Sequence, residues 1–284
     1  MQAVAATIER LTGFRPNQVI RLSGGCVGDV YQVSFPDGRV WVAKIGAPGS
    51  GLTIESDMLT YLAQYSDLPV PKVHFADESL LLMDRLENRG DLDAAAQRHG
   101  ATMLADLHSL TTSNGFGFAH ATVIGGLHQP NAWTVSWIDF FRDQRLLYMS
   151  GEAERAGQLP TSLRIRIENF AAHLDRWLTE PDQPALLHGD LWTGNILCAN
   201  GRITGFIDPA IYYGDPEIEL AFSTLFDTFG ASFFDRYQDL HPLNPGFFEE
   251  RRALYNIYPL LVHVRLFGGA YVQSVERTLQ RFGY

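Results

Sequence analysis

The chain reads as an α+β protein of two lobes, a small antiparallel β-sheet with one main helix followed by a larger, mostly helical part. Three observations predict this. Short runs rich in β-branched and aromatic residues, bounded by turn residues, fill residues 18–84 apart from one helical stretch. From about Asp91 the apolar spacing becomes predominantly helical. Inside that second part, Ile196-Leu197-Cys198 and Arg202-Ile203-Thr204-Gly205-Phe206-Ile207 read as two short strands around Asn200-Gly201, a strong two-residue hairpin signal.

In chain order, residues 1–15 have amphipathic helical spacing, and strands are expected near 18–22, 29–35 and 39–45. A helix near 53–65 follows, then strands near 72–76 and 79–84 joined at Asp77-Glu78. The apolar run from Leu80 to Leu86 closes the small lobe, which sets the expected boundary between residues 1–86 and 87–284. Beyond it come a helix from Ala94 to Leu110, a Gly-rich loop at 113–131 and helices near 133–149 and 161–179. Helices are expected again from about residue 216 to the end.

With 46% apolar and 12% aromatic residues in 284, the chain can bury a substantial core. A net charge of −10 argues against nonspecific nucleic-acid binding. No eighteen-residue apolar span or basic signal peptide is evident, so the expectation is a cytoplasmic protein without membrane contact, monomeric or homodimeric. Two cysteines make no disulfide framework. Cys198 reads as inert core. Cys26 lies in a Gly-rich loop where backbone N–H groups favour a thiolate, so it is either plain structure or a redox-sensitive site of intermolecular disulfide formation.

The chemistry is concentrated in Leu187-His188-Gly189-Asp190-Leu191-Trp192-Thr193-Gly194-Asn195, with Asp208 thirteen residues after the asparagine. A histidine two residues before an aspartate, an asparagine five after it and a later aspartate are the parts of a kinase catalytic loop with its metal-binding aspartate. Phosphoryl transfer needs the attacking hydroxyl and the triphosphate held in line while charge spreads over several oxygens. Asp190 would accept the hydroxyl proton. Asn195 and Asp208 offer the hard oxygens that suit Mg²⁺, an ion that stays bound chiefly to phosphates and water.

The N-terminal third supplies matching parts. Ser23-Gly24-Gly25-Cys26-Val27-Gly28 fits a kinase phosphate loop with serine in place of its first glycine, and the glycines let backbone N–H groups approach phosphate oxygens. Val40-Trp41-Val42-Ala43-Lys44-Ile45 is an apolar strand carrying one lysine. Of the 22 basic side chains only Lys44 and Lys72 are lysines, so an ammonium here, rather than the usual guanidinium, suggests a phosphate-holding role. The alternative is a strand-end lysine reaching for solvent. Glu55 opens the next helical stretch and would pair with Lys44, with Asp57 as a competitor. The backbone around Met83, Asp84 and Leu86 would form the hinge that meets adenine.

These residues resemble the fructosamine kinase (ketosamine 3-kinase) family, a branch of the aminoglycoside phosphotransferase-like kinases with a protein-kinase-like fold. The resemblance rests on Gly24-Gly25-Cys26, on Trp192 within the catalytic loop, on the run from Asp208-Pro209-Ala210 through Leu220-Ala221, and on Gln129-Pro130-Asn131-Ala132-Trp133 with Trp137, Asp139 and Arg145 after it. It implies ATP-dependent, Mg²⁺-assisted phosphorylation of the 3-hydroxyl of a ketosamine, free or on a glycated protein lysine, which destabilises the adduct and reverses glycation. By the same resemblance Asp190 is the base, Asn195 and Asp208 hold metal, and Lys44 with the Gly24–Gly28 loop holds phosphates.

Trp192, two residues beyond the base, is positioned to lie against the sugar, with a core tryptophan as the alternative. Asp215, with Glu217 and Glu219, would suit a cationic amine, unless the three merely supply helix N-terminal acidity. An aminoglycoside, choline or other hydroxyl kinase is the second reading. A nucleotide-binding pseudokinase is the third, and it would require a missing catalytic group, whereas Lys44, Asp190, Asn195 and Asp208 are all present.

Overall fold

A computed structural model describes residues 1–22 and 28–284. Strands β1 (Gln18–Arg21), β2 (Asp29–Ser34), β3 (Val40–Ile45), β4 (Val73–Ala76) and β5 (Leu80–Asp84) form an antiparallel sheet in the order β1-β2-β3-β5-β4. Side chains alternate across a strand, so β3 divides its residues between two faces. Trp41 and Ala43 pack with Ile8 of helix α1 (Gln2–Thr12), alongside Val33, Leu80 and Leu82. Val42 packs on the other face with Leu81 and Met83 against Leu52 and Leu59 of helix α2 (Leu52–Tyr65). Lys44, two residues from Val42, shares the α2 face.

Helix α3 (Ala94–His108) starts at Asp93, whose carboxylate accepts from the Ala95 and Ala96 N–H groups at 2.9 Å each. It packs on helix α8 (Ala231–Leu240). Between them in sequence come a hairpin of β6 (Thr122–Ile124) and β7 (Leu127–Gln129), then α4 (Trp137–Phe141), a π-helical turn (Arg142–Leu147), α5 (Tyr148–Arg155) and α6 (Thr161–Ala171). Strand β8 (Ala185–Leu187) pairs with β11 (Tyr212–Gly214), and β9 (Ile196–Ala199) pairs with β10 (Arg202–Phe206). After α7 (Pro216–Leu225) and α8, helices α9 (Arg252–Tyr255), α10 (Ile257–Phe267) and α11 (Ala270–Arg281) complete the chain. One buried cluster unites these helices, and it also takes in Met58 and Leu62 of α2. No helix of the described residues is long and apolar enough to cross a membrane.

The expected turn at Asn200-Gly201 is present, with both residues at positive φ (53° and 68°), the backbone a type I′ hairpin demands. Other expectations need correction. The segment read as a Gly-rich loop at 113–131 contains the β6–β7 hairpin, turned by Gly125-Gly126. The helix expected from residue 133 begins at Trp137, because Phe116 and Thr134 pair as a bridge and hold the preceding chain extended. Ser136 caps its start, and Glu180 takes the Trp137 and Ile138 N–H groups. That helix runs on through the π turn to Arg155, and the one expected to reach 179 stops at Ala171.

Candidate active site

Two short antiparallel pairings bring the chemistry together. Because Tyr212 sits opposite Leu187, the loop that leaves β8 at His188 starts beside the segment that enters β11 from Asp208. Because Phe206 sits opposite Ile196, Asn195 and Ile207 are neighbours, and the Ile207 N–H donates to the Asn195 carbonyl at 3.0 Å. The two segments are further joined by the Ala210 N–H donating to the His188 carbonyl at 2.7 Å. Gly189 permits this approach. Its φ is +86°, and a Cβ there would lie 2.0 Å from the Ala210 carbonyl oxygen, so any side chain would drive the two segments apart.

Asp190 is held in place by its own loop. The Asn195 side chain donates one N–H each to the Asp190 carboxylate (2.8 Å) and carbonyl (2.9 Å), which fixes the loop around that carboxylate and spends both amide hydrogens. The Asn195 amide oxygen is left as an acceptor. Burial, and then the charge of Asp208, push the Asp190 carboxyl up to about 7, while the Asn195 amide and the Trp192 side chain act the other way.

Asp208 has φ +54°, a left-handed backbone that is uncommon for a residue with a side chain. The conformation lets its carboxylate meet the ammonium of Lys44, which also donates to Glu55 at 2.6 Å. Lys44 is thus the hub of a three-member ion network linking β3, α2 and the Asp208 segment, with only 6% of its surface exposed. Burial alone would weaken its charge, but Asp208 and Glu55 outweigh it and hold the ammonium well above the usual lysine range. Glu55, not Asp57, is the partner; Asp57 is exposed. Gly28 adjoins the end of the same strand, where a Cβ would be 2.6 Å from the Ile45 carbonyl oxygen.

The remaining expected site residues fall as follows. Gly24, Gly25, Cys26 and Val27 lie outside the described residues, and with them the suggested Cys26 disulfide. Met83 packs its side chain under the sheet against α2. Asp84 commits its N–H to the Lys72 carbonyl (2.9 Å) and its carboxylate to His74 (2.6 Å), and Leu86 lies on Gly205. Trp192 is half-buried, with its ring over Gly194 and its edge toward Phe226 at 6.0 Å. A Cβ on Gly194 would come within 2.3 Å of the outer end of that ring, so the indole reaches the loop backbone at a position only glycine leaves open. Cys198 is a free thiol in the core, and burial raises it.

The acidic cluster has a different role from the one expected. Asp215 caps α7 through the Glu217 N–H (2.9 Å) and accepts from Tyr255 at 2.6 Å, leaving both oxygens engaged inside the protein. Burial and then Glu217 push its carboxyl up to about 7. Glu217 makes a two-pronged bond to Arg251 at 2.5 and 2.7 Å. Glu219 accepts from the His188 and Gly189 N–H groups at 3.3 and 3.1 Å, so it braces the loop that carries Asp190. The amine-binding reading of Asp215 therefore gives way to helix capping, since Asp215, Glu217 and Glu219 are each less than 10% exposed. Glu219 is the residue that sequence reasoning misassigned. Its spacing on α7 could have revealed it, because position 219 faces the same side as the buried Asp215.

Comparison with known proteins agrees with this geometry. A profile of the fructosamine kinase family matches residues 1–282. A probable ketoamine kinase of Synechocystis sp. is 36% identical over 99% of this chain and 96% of its own length. The probable ketoamine kinase YniA of Escherichia coli K12 is 35% identical over 81% of this chain and 80% of its own. Among solved structures, a chain described as a fructosamine-3-kinase from Thermobifida fusca superposes with a TM-score of 0.85 at 30% identity, covering 99% of this chain and 98% of that one. An aminoglycoside phosphotransferase, APH(4)-Ia, shares the fold at a TM-score of 0.67 and 18% identity, covering 98% of this chain and 99% of that one. The chain belongs to the fructosamine kinase family and is an ATP-dependent phosphotransferase that acts on a hydroxyl group.

Proposed function

We propose that this enzyme transfers the γ-phosphoryl group of ATP to the 3-hydroxyl of a ketosamine, with Asp190 as the base. The observation that carries the reading is the unbroken run of contacts from Asp190 through Asn195 to the Asp208 segment and from Asp208 to Lys44 and Glu55. It supports a surface where an acceptor hydroxyl and a phosphate chain meet. Lys44, held fully charged, would grip phosphate oxygens. The strand lobe of residues 1–86 would hold the nucleotide and the remainder the acceptor.

The donor set fits Mg²⁺: the Asn195 amide oxygen is free of hydrogen-bond donors among the described residues, and Asp208 keeps a second carboxylate oxygen beyond the one on Lys44. Bound there with the nucleotide, Mg²⁺ would draw negative charge from the transferring phosphoryl oxygens. The protein's own part is to orient the acceptor hydroxyl against the Asp190 carboxylate and take its proton as the O–P bond forms. A base held up near neutrality must first lose its proton to work. Acceptor kcat/KM is therefore expected to rise with pH and to level off above about 7, and a rate falling steadily from about pH 6 to 8 would contradict the role of Asp190.

Substrate choice is read from Trp192. It follows Asp190 by two residues, and its ring is only half-buried, which supports a face for the sugar and disfavours a core role. Trp192→Ala is expected to lower ketosamine kcat/KM on the order of tenfold, since a lost aromatic contact is worth roughly 1 kcal/mol or more. ATP affinity should hardly change. Normal ketosamine kinetics in a folded Trp192→Ala protein would reopen the aminoglycoside and choline alternatives.

A further inference from the structure

The β6–β7 hairpin touches the two segments that carry Asp208 and Glu55, the carboxylates of the ion network, without belonging to it. On one side it is bonded to the segment just after Asp208: Gln129 donates to the Ala210 carbonyl at 3.0 Å, and the buried Thr122 hydroxyl donates to the Ile211 carbonyl at 3.4 Å. Tyr258 of α10 fixes Gln129 from behind through a 2.6 Å bond to its amide oxygen. On the other side, Val123 meets the start of α2. A Cβ on Gly51 would lie 3.1 and 3.4 Å from the two methyl carbons of Val123. Gly51 is the N-cap of α2, has φ +84° and provides no capping side chain, so the valine covers a helix end with no side-chain cap of its own. Glu55 lies one turn into that helix, and its N–H donates to the Gly51 carbonyl at 2.9 Å.

The contacts form a closed ring. It runs from Lys44 to Asp208, through Ala210 and Ile211 into the hairpin, across Val123 to Gly51, and along the first turn of α2 to Glu55 and back to Lys44. Met58 and Leu62 lie further along α2, in the same buried cluster as Phe118 and Ile124, so the helix is seated on the large core and not only on the sheet. A helix anchored in this way has little freedom to swing Glu55 away from Lys44. We propose that the Thr122–Gln129 hairpin is a strut that seats α2 and keeps the Lys44–Glu55 pair assembled, with Val123 as the positioning residue at the contact. The proposal rests on the reading that Lys44 and Glu55 serve the nucleotide, and it assigns the hairpin a role in nucleotide affinity although it lies on the acceptor side of the chain.

The test is a double-mutant cycle on the full chain, reading MgATP affinity, the KM of both substrates and the melting temperature for the wild type, Val123→Ala, Glu55→Gln and the double variant. Val123→Ala is expected to weaken MgATP binding about fivefold, with the acceptor KM within about twofold of wild type. On the Glu55→Gln background the same change should cost less than about twofold, because the group it positions is already lost. Wild-type MgATP affinity in Val123→Ala, beside a weakened Glu55→Gln, would overturn the strut alone. A full-sized Val123→Ala effect on the Glu55→Gln background, or both KM values rising in proportion to a lowered melting temperature, would reduce Val123 to packing and overturn it too. Glu55→Gln with wild-type MgATP affinity would bring down the nucleotide reading and the strut together.

Discussion

Asp190→Asn is expected to lower kcat by about 10²- to 10⁴-fold while the protein stays folded and binds MgATP nearly as well as the wild type. The amide can keep the bond from Asn195, since its own oxygen can accept the hydrogen that the carboxylate now takes at 2.8 Å. What it cannot do is accept the hydroxyl proton. Removing the charge also ends the repulsion from Asp208, so the free protein should melt no earlier than the wild type. Turnover within a few-fold of wild type would rule out Asp190 as the base. A collapse in melting temperature would instead assign it a structural role.

Asp208 is expected to give an equally large loss through a different term. Asp208→Asn should cut kcat/KM for MgATP on the order of a hundredfold or more, since it discards a charged oxygen ligand and half of the counter-charge on Lys44. Comparison with Asp208→Ala separates chemistry from backbone. Asparagine tolerates a φ of +54° better than alanine, so Asp208→Ala should add a further destabilisation of about 1 kcal/mol, visible as a lower melting temperature at similar activity. Calorimetry showing wild-type MgATP affinity in both variants would remove Asp208 from the nucleotide site.

Most of the sheet and the grouping of His188, Asp190 and Asn195 on one loop were legible in the sequence because both follow short-range rules. Strand alternation and turn residues located β1 to β5, and Asn200-Gly201 marked the β9–β10 hairpin, but the one-residue shift between Ile203 and Gly205 that puts Ile207 rather than Phe206 beside Asn195 left no signal in the sequence. The Lys44–Glu55 pair was suggested by the kinase pattern, with Asp57 as a competitor that only the packing of α2 on the sheet decides against. What escaped depended on contacts between segments distant in the chain. The pairing of β8 with β11 involves only three residues on each side, too few for a periodic signal. The hairpin at Thr122–Gln129 did leave a mark, a Gly-Gly pair between β-branched and apolar residues, but the surrounding glycines masked it.

The acidic residues of α7 show the limit most clearly. In the sequence, Asp215, Glu217 and Glu219 look alike; in the structure one caps a helix, one binds Arg251 and one braces the loop that carries Asp190. Each role is set by a partner between 2 and 40 residues away, and composition alone carries no information about it.

Single-turnover transfer from γ-labelled ATP, with the protein in excess over the nucleotide and a panel of ketosamines, aminoglycosides and choline as acceptors, decides between the substrate classes. Label is expected on a ketosamine, at the 3-hydroxyl by phosphorus-carbon coupling, and Asp190→Asn is expected to abolish this signal. Label on an aminoglycoside or on choline with none on any ketosamine, or bound ATP that labels no acceptor at all, would overturn the ketosamine assignment.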